Sequence, residues 1–213
     1  MKLYGYWRSS AAYRVRIALY LKDIDFDSIS VHLVKNGGEQ HQEEYIKLNP
    51  NHLVPTLVDG DVTLNQSLAI LDYLEAKFTQ SLALYPSDIE QRAAVQALSL
   101  DIACEIHPIN NLRVQQYLVN ELGVSEADKL AWSHHWMASN FAVIEARLAK
   151  SAGKYCFGDD ITIADLCLVP QVYNANRFKL DMTPYPTINA IVEQCNRQPA
   201  FIRALPENQA DAQ

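Results

Sequence analysis

Three short stretches carry residue types suited to holding an anionic, peptide-like ligand. The first is Trp7-Arg8-Ser9-Ser10-Ala11-Ala12-Tyr13-Arg14, which joins the end of an extended segment to the start of a helix. A helix N-terminus offers backbone N–H groups and the positive end of a dipole, so it stabilises anions. Two serines at such a place have two readings. One is helix capping, by Ser9 or Ser10; the other is a hydroxyl that donates to a bound thiolate or oxyanion. Both hold together, because two serines are present and only one cap is needed. The second stretch is Leu53-Val54-Pro55-Thr56-Leu57. Proline just before a strand marks an edge or a turn and is usually structural. A cis Val54-Pro55 bond would turn Val54 outward and free its N–H and C=O to pair with an extended peptide, as in strand addition. The third is Asn65-Gln66-Ser67. Ser67 would cap the following helix, whose N-terminus suits a carboxylate.

These stretches must be positioned by secondary structure, and the hydrophobic periodicity supplies it. Leu3 to Trp7 reads as a strand, Ser9 to Lys22 as an amphipathic helix with Arg14, Arg16 and Lys22 interspersed, and Phe26 to Leu33 as a second strand. That is a βαβ unit with a parallel pair. Weak helical character follows around Glu43 to Leu48. Thr56 to Val58 and Val62 to Leu64 flank Asp59-Gly60-Asp61, a strong hairpin signal. Ser67 to Phe78 is a helix. The expected order β-α-β-α-β-β-α gives a sheet part parallel and part antiparallel.

Beyond Leu84-Tyr85-Pro86 no strand pattern returns. Ser87-x-x-Glu90 opens a long helix towards His107 and Pro108, and a second helical stretch ends near Gly123. Ser125-x-x-Asp128 starts a helix that persists to Lys150, with Gly153 as its stop. Thr162-Ile163-Ala164-Asp165 is a structural capping box that opens an apolar helix kinked at Pro170. Thr187 to Arg197 and the segment FIRAL complete the pattern, and the tail PENQADAQ reads as loose. The expected division is an α/β domain over 1–80, a linker over 81–86 and an all-helical domain over 87–213.

Composition bounds the rest. A chain of 213 residues buries a sizeable core without staples. With Lys+Arg 18 against Asp+Glu 25, its net charge of -7 argues against nucleic acid and anionic membranes as partners. The N-terminus MKLYGYWRSS has no long apolar run, so neither a leader nor a membrane span is read there. Cys104, Cys156, Cys167 and Cys195 form no CxxC and read as buried, inert thiols of a soluble cytoplasmic protein. His134-His135 lacks further ligands at metal spacing and reads as helix surface or interface, so no metal is expected. Tyr4, Tyr6 and Tyr13 read as packing residues.

Taken together, the stretches are more specific than any one alone. RSSAAYRVRIAL, KNGGEQ, LNPNHLVPTL, LNQSLAILDYLE, IHPINNLR, GDDITIADLCLVPQVYNANRF and DMTPYPT span almost the whole chain. In them the sequence resembles the zeta class of the glutathione transferases, the maleylacetoacetate isomerases. The resemblance implies a thioredoxin-like N-terminal domain with a mixed four-stranded sheet, followed by an all-helical C-terminal domain. It implies glutathione as coenzyme, with Ser9 stabilising its thiolate and Ser10 assisting. Gln40 would contact the glycyl end, Val54 before Pro55 the cysteinyl backbone, and Gln66 and Ser67 the γ-glutamyl carboxylate. His107 and Asn111 would border the same cleft. Arg8, Arg113 and Arg177 would bind the carboxylates of the substrate, since the planar fork of Arg suits them. Arg14 reads as structural support.

The implied reaction is cis–trans isomerisation of maleylacetoacetate to fumarylacetoacetate, in tyrosine and phenylalanine breakdown, by thiolate addition, rotation and elimination. Maleylpyruvate isomerisation and general glutathione conjugation are the neighbouring readings. A non-catalytic binding protein on the same fold is a further one. Ala11 stands where the class commonly has Cys. Chemistry that needs a protein thiol at the site is therefore disfavoured, while isomerisation survives because the coenzyme brings its own sulfur. A homodimer with a small anionic keto-acid substrate is the implied state.

Overall fold

The computed structural model describes residues 1–213 and divides into two compact units. One comprises Met1–Ala83 together with Asn196–Gln213, the other Leu84–Cys195. The final segment therefore belongs with the α/β unit. That differs from a helical domain running on to residue 213.

In the first unit, β1 (Lys2–Gly5), β2 (Asp27–Ser30), β3 (Thr56–Asp59) and β4 (Val62–Asn65) form one sheet in the order β2-β1-β3-β4. β1 and β2 are parallel, and the other two pairings are antiparallel. Both β1 and β2 are shorter than the alternation predicts, because pairing ends where Gly5 meets Ser30 and the Val31 amide closes on the Gly5 carbonyl. Gly60, at φ +60°, makes the tight turn between β3 and β4.

The helix α1 (Ser10–Leu21) is buried along almost its whole length rather than on one face. α3 (Ser67–Lys77) packs on one flank, and α9 (Pro199–Ala204) returns from the chain end to cover another. The three cations read as interspersed on this helix are consequently buried, each with hydrogen-bond partners. Arg14 donates to Ser67 Oγ at 3.2 Å. Arg16 donates to the carbonyls of Trp7 and Ala204 at 2.9 and 3.1 Å. Lys22 bridges the Glu75 carboxylate at 2.7 Å and the Leu82 carbonyl at 2.8 Å. The bonds of Arg16 and Lys22 offset the cost of burying their charges.

The tail beyond α9 is ordered, not loose. Pro206–Asn208 forms a 3-10 turn, and the Asp211 carboxylate accepts from the Trp7 amide and the Ser30 hydroxyl. Between β2 and β3 lies α2 (Glu43–Leu48), where the weak helical signal fell.

The second unit contains α4 (Ile89–Leu100), α5 (Leu112–Asn120), α6 (Glu126–Ser151), α7 (Ile163–Arg177) and α8 (Pro186–Cys195). Asp88, not Ser87, caps α4, its carboxylate accepting from the Gln91 amide at 2.9 Å. After Leu100 the helix widens over Asp101–Ile106, so that the His107 amide reaches back to the Ile102 carbonyl. Ile102 and Ile106 point inward, and Cys104 between them is exposed rather than buried. Cys156, Cys167 and Cys195 are buried and free, and burial raises the thiol pKa of Cys156 and Cys195. Ser125 caps α6, and Glu145 from α6 accepts both the Thr187 and Ile188 amides at the start of α8. No helix is long and apolar enough to cross a membrane.

Asp165 at the start of α7 is fully buried. Its carboxylate accepts from the Thr162 amide and hydroxyl at 2.8 and 3.0 Å and from the Cys156 amide at 2.8 Å. Burial raises its pKa, and the amide donors oppose that. Replacing Asp165 by Ala strands three donors in the core, so it should lower the unfolding free energy by about 3 kcal/mol in urea titrations. A loss under about 0.5 kcal/mol would show that these donors find other partners.

Candidate functional site

The register of the sheet collects the first unit's candidate residues at one end. Tyr4 pairs with Thr56, and Thr56 pairs with Asn65. The chain leaving β1 towards Ser9, the chain entering β3 from Val54 and the chain leaving β4 towards Ser67 therefore emerge side by side. β2 ends at the same level, Ser30 beside Gly5, and leads to Gln40. Four turns far apart in sequence share one edge, as ligand sites at the ends of α/β strands commonly do.

At the first turn the Ser9 amide bonds the Tyr6 carbonyl at 2.9 Å. Ser9 is the N-cap of α1, its Oγ accepting from the Ala12 amide at 3.2 Å. That bond uses a lone pair of the oxygen and leaves the hydroxyl proton to donate. Ser10 is buried in the first turn of the helix, and Ala11 beside it is half-buried. Arg8 is exposed; its guanidinium stacks on the Trp7 ring at 4.5 Å and donates to Tyr6 Oη at 3.1 Å.

The Val54–Pro55 peptide bond is cis. Neither the N–H nor the C=O of Val54 has a hydrogen-bond partner within the chain. The loop is held instead by side chains on either side of it. Asn49, 1% exposed, donates to the Leu53 carbonyl at 2.7 Å and to Thr56 Oγ1 at 3.2 Å. Its own Oδ1 accepts from Asn65 and from the Asn51 amide, both at 3.1 Å. Tyr45 adds a bond to the Leu53 carbonyl at 2.5 Å, and burial raises its pKa. Sequence reasoning passed over Asn49 and Tyr45. Their one signal was the polar Asn between Leu48 and Pro50, which has no strand or helix of its own to serve.

Gln40 is buried and donates to the Leu33 carbonyl at 3.2 Å, while its Oε1 is buried with no donor. Gly38 makes that placement possible: its φ is +99°, and a Cβ there would lie 2.5 Å from the Gln40 amide nitrogen. Gln66, at φ +67°, is the N-cap of α3, so Ser67 sits one residue inside the helix instead of capping it. Ser67 is buried, with Arg14 behind it. The first amides of α3 face the same end of the sheet and suit a carboxylate.

The remaining candidates lie in the second unit. His107 is half-buried at the end of the widened turn. Asn111 caps α5 by accepting from the Arg113 amide at 3.2 Å, and Arg113 is exposed. Arg177 is exposed at the end of α7, donating to Asn174 Oδ1 at 3.0 Å and stacking on the Phe178 ring at 4.5 Å. His134 bonds the Phe178 carbonyl at 2.7 Å, and no group of His, Cys, Asp and Glu forms a metal site.

Comparison with known proteins follows the same division. The model of the glutathione S-transferase N-terminal domain matches residues 1–76, and that of the C-terminal domain matches residues 135–199. The chain is 52% identical to a probable maleylacetoacetate isomerase of Vibrio cholerae, over 99% of this chain and 97% of that one. A solved holo structure of a maleyl pyruvate isomerase, described as a bacterial glutathione S-transferase in the zeta class, superposes with a TM-score of 0.96. It is 44% identical over 100% of both chains. A maleylacetoacetate isomerase from Methylobacterium extorquens AM1, solved with malonate and GSH bound, has a TM-score of 0.95 and 38% identity over 100% of both chains.

Asn49 is the keystone of the proline loop. Asn49→Ala should lower stability by about 2 kcal/mol in chemical denaturation, since the Asn51 and Asn65 amides lose their acceptor and the Leu53 carbonyl keeps only Tyr45. Asn49→Asp should recover only the acceptor half of those bonds. Equal stability for Ala and wild type would remove the loop-holding role.

Proposed function

The chain belongs to the glutathione transferase family and its zeta class, and from that premise we propose that it isomerises maleylacetoacetate to fumarylacetoacetate with glutathione as coenzyme. The observation that supports this most directly is the set of groups at the end of the sheet. A Ser9 hydroxyl, the free N–H and C=O of Val54, the orphaned Oε1 of Gln40 and the amides of α3 meet there. Such a set fits a tripeptide with a thiol, two peptide bonds and two carboxylates. The residues present therefore fit the coenzyme.

Bound glutathione supplies the chemistry of a thiol that adds to an activated cis double bond and leaves again. The chain's part is electrostatic. A thiol of pKa about 8.5 is only about 3% ionised at neutral pH, and lowering it by roughly two units takes about 2.7 kcal/mol of differential stabilisation. The Ser9 proton, backed by the amide on its lone pair, and the dipole of α1 together have that capacity. Gln66, Ser67 and the α3 amides hold the γ-glutamyl carboxylate, with Arg14 lending positive charge through Ser67. Arg8, Arg113 and Arg177 are the proposed carboxylate binders for the anionic substrate. His107 and Asn111 are proposed as coenzyme contacts from the helical unit. Ala11 carries no sulfur, so thiol–disulfide chemistry has no protein nucleophile in this turn.

A homodimeric, cytoplasmic setting is part of the same proposal. Exposed Ile89, Leu100 and Val143 are apolar surface that a second copy would cover, and four free cysteines suit a reducing compartment.

Purified protein should isomerise the maleyl substrate only with glutathione present; full activity without it would end the proposal. Ser9→Ala should lower kcat about 100-fold, the equivalent of about 2.7 kcal/mol, with the far-UV dichroism unchanged. Rates on pure maleylacetoacetate and maleylpyruvate, for wild type and for Arg8→Ala, Arg113→Ala and Arg177→Ala, decide the substrate. A tenfold preference for maleylpyruvate would reassign it.

A further inference from the structure

The turn that carries Arg8 and Ser9 is gripped from the far end of the chain. Asp211, third from the C-terminus, accepts the Trp7 amide on Oδ2 at 3.2 Å and the Ser30 hydroxyl on the same oxygen at 3.0 Å. The other side of Trp7 is held as well: its carbonyl accepts from Arg16 Nη2 at 2.9 Å. That guanidinium also donates to the carbonyl of Ala204, the last residue of α9, through Nε and Nη2. Both backbone polar groups of Trp7 are thus tied into a frame that includes the returning C-terminal segment. The Trp7 side chain is buried, and the Arg8 guanidinium lies on its ring at 4.5 Å. Ser9 follows two residues after Trp7, its amide closing the turn on Tyr6.

We propose that Asp211 is a positioning residue for the isomerase reaction: its carboxylate sets Trp7, and through Trp7 it sets the Arg8 guanidinium and the Ser9 hydroxyl. The inference rests on the reading of that turn as the thiolate and carboxylate site. A carboxylate is suited to the task because its hydrogen bond to an amide is charge-assisted and about twice as strong as a neutral one. A tail residue is suited as well. Asp211 is only half-buried and lies beyond the last 3-10 turn, which is tied to α9 by Asn208 and Gln209 and not by Asp211. Loss of the contact therefore loosens the turn without unfolding the unit. The coenzyme's peptide and carboxylate groups meet Val54, Gln40 and α3, which Asp211 does not touch. What Asp211 governs is orientation during the reaction, so its removal falls on kcat and not on coenzyme affinity.

The test compares the full-length chain with Asp211→Ala, Asp211→Asn and Ser30→Ala by three measurements. Hydrogen exchange of the Trp7 amide should quicken at least tenfold in Asp211→Ala. kcat should fall about tenfold, while the calorimetric Kd for glutathione stays within twofold and the Tm within about 3 °C, a shift of roughly 1 kcal/mol for this size. Asp211→Asn keeps an acceptor oxygen and should restore most of both readouts. Ser30→Ala removes the second bond of the same carboxylate and should leave exchange and kcat near wild type. Unchanged Trp7 exchange and kcat in Asp211→Ala overturns the inference, as does a loss of glutathione binding and Tm in parallel with kcat. Quicker Trp7 exchange in a protein whose wild type shows no glutathione-dependent isomerisation supports the grip on the turn and counts against the functional reading alone.

Discussion

The hydrogen bond from the Ala12 amide to Ser9 Oγ is the contact on which the proposed chemistry turns. A capping serine normally satisfies a helix end and does nothing more. Here the cap occupies an acceptor site of the oxygen and holds it over the first turn of α1, so that its proton has no competing role. In the proposed function, capping and catalysis share one geometry. The helix that makes this possible is held between α3 and α9. Arg14, Arg16 and Lys22, all on or beside that helix, lock it to the neighbouring segments through their own bonds.

A second constraint is the scaffold under the proline loop. A strand would satisfy its backbone through a ladder, but the chain from Asn49 to Pro55 belongs to no strand. Asn49 and Tyr45 do that work with side chains at the Leu53 carbonyl, and the N–H and C=O of Val54 stay unpaired. A buried polar network that is fully joined specifies a single conformation. The unpaired groups then lie where the proposed function seats the peptide of the coenzyme. The same logic applies to Gln40, whose amide is half-satisfied by Leu33 and whose oxygen is left over.

Much of this was legible before any coordinates. The βαβ unit, the Asp59-Gly60 hairpin, the Ser125 cap and the Thr162–Asp165 box follow from local chemistry, and each element formed within a few residues of its signal. The errors have a common cause. Ser87 and Ser67 both have the composition of caps, yet Asp88 and Gln66 hold those positions, because a cap is chosen by backbone angles that neighbours of similar type satisfy equally well. Cys104 sits in an apolar stretch, but a local widening of the helix turns it outward. The tail looked loose because its polar composition says nothing about a partner 204 residues away.

What the sequence by itself determined is the kind of chemistry and the elements that carry it: serines at a helix start, a proline-led strand, and an alanine that leaves the first turn without a protein thiol. These are local properties, set by side-chain type and by periodicity over a few residues. What only the tertiary structure decided is which of those groups meet and which remain unsatisfied. The sheet register brings four turns to one edge, and the returning α9 converts an apparently amphipathic helix into a buried one. Long-range contacts of that kind depend on the packing of whole faces. No short window of sequence contains both partners.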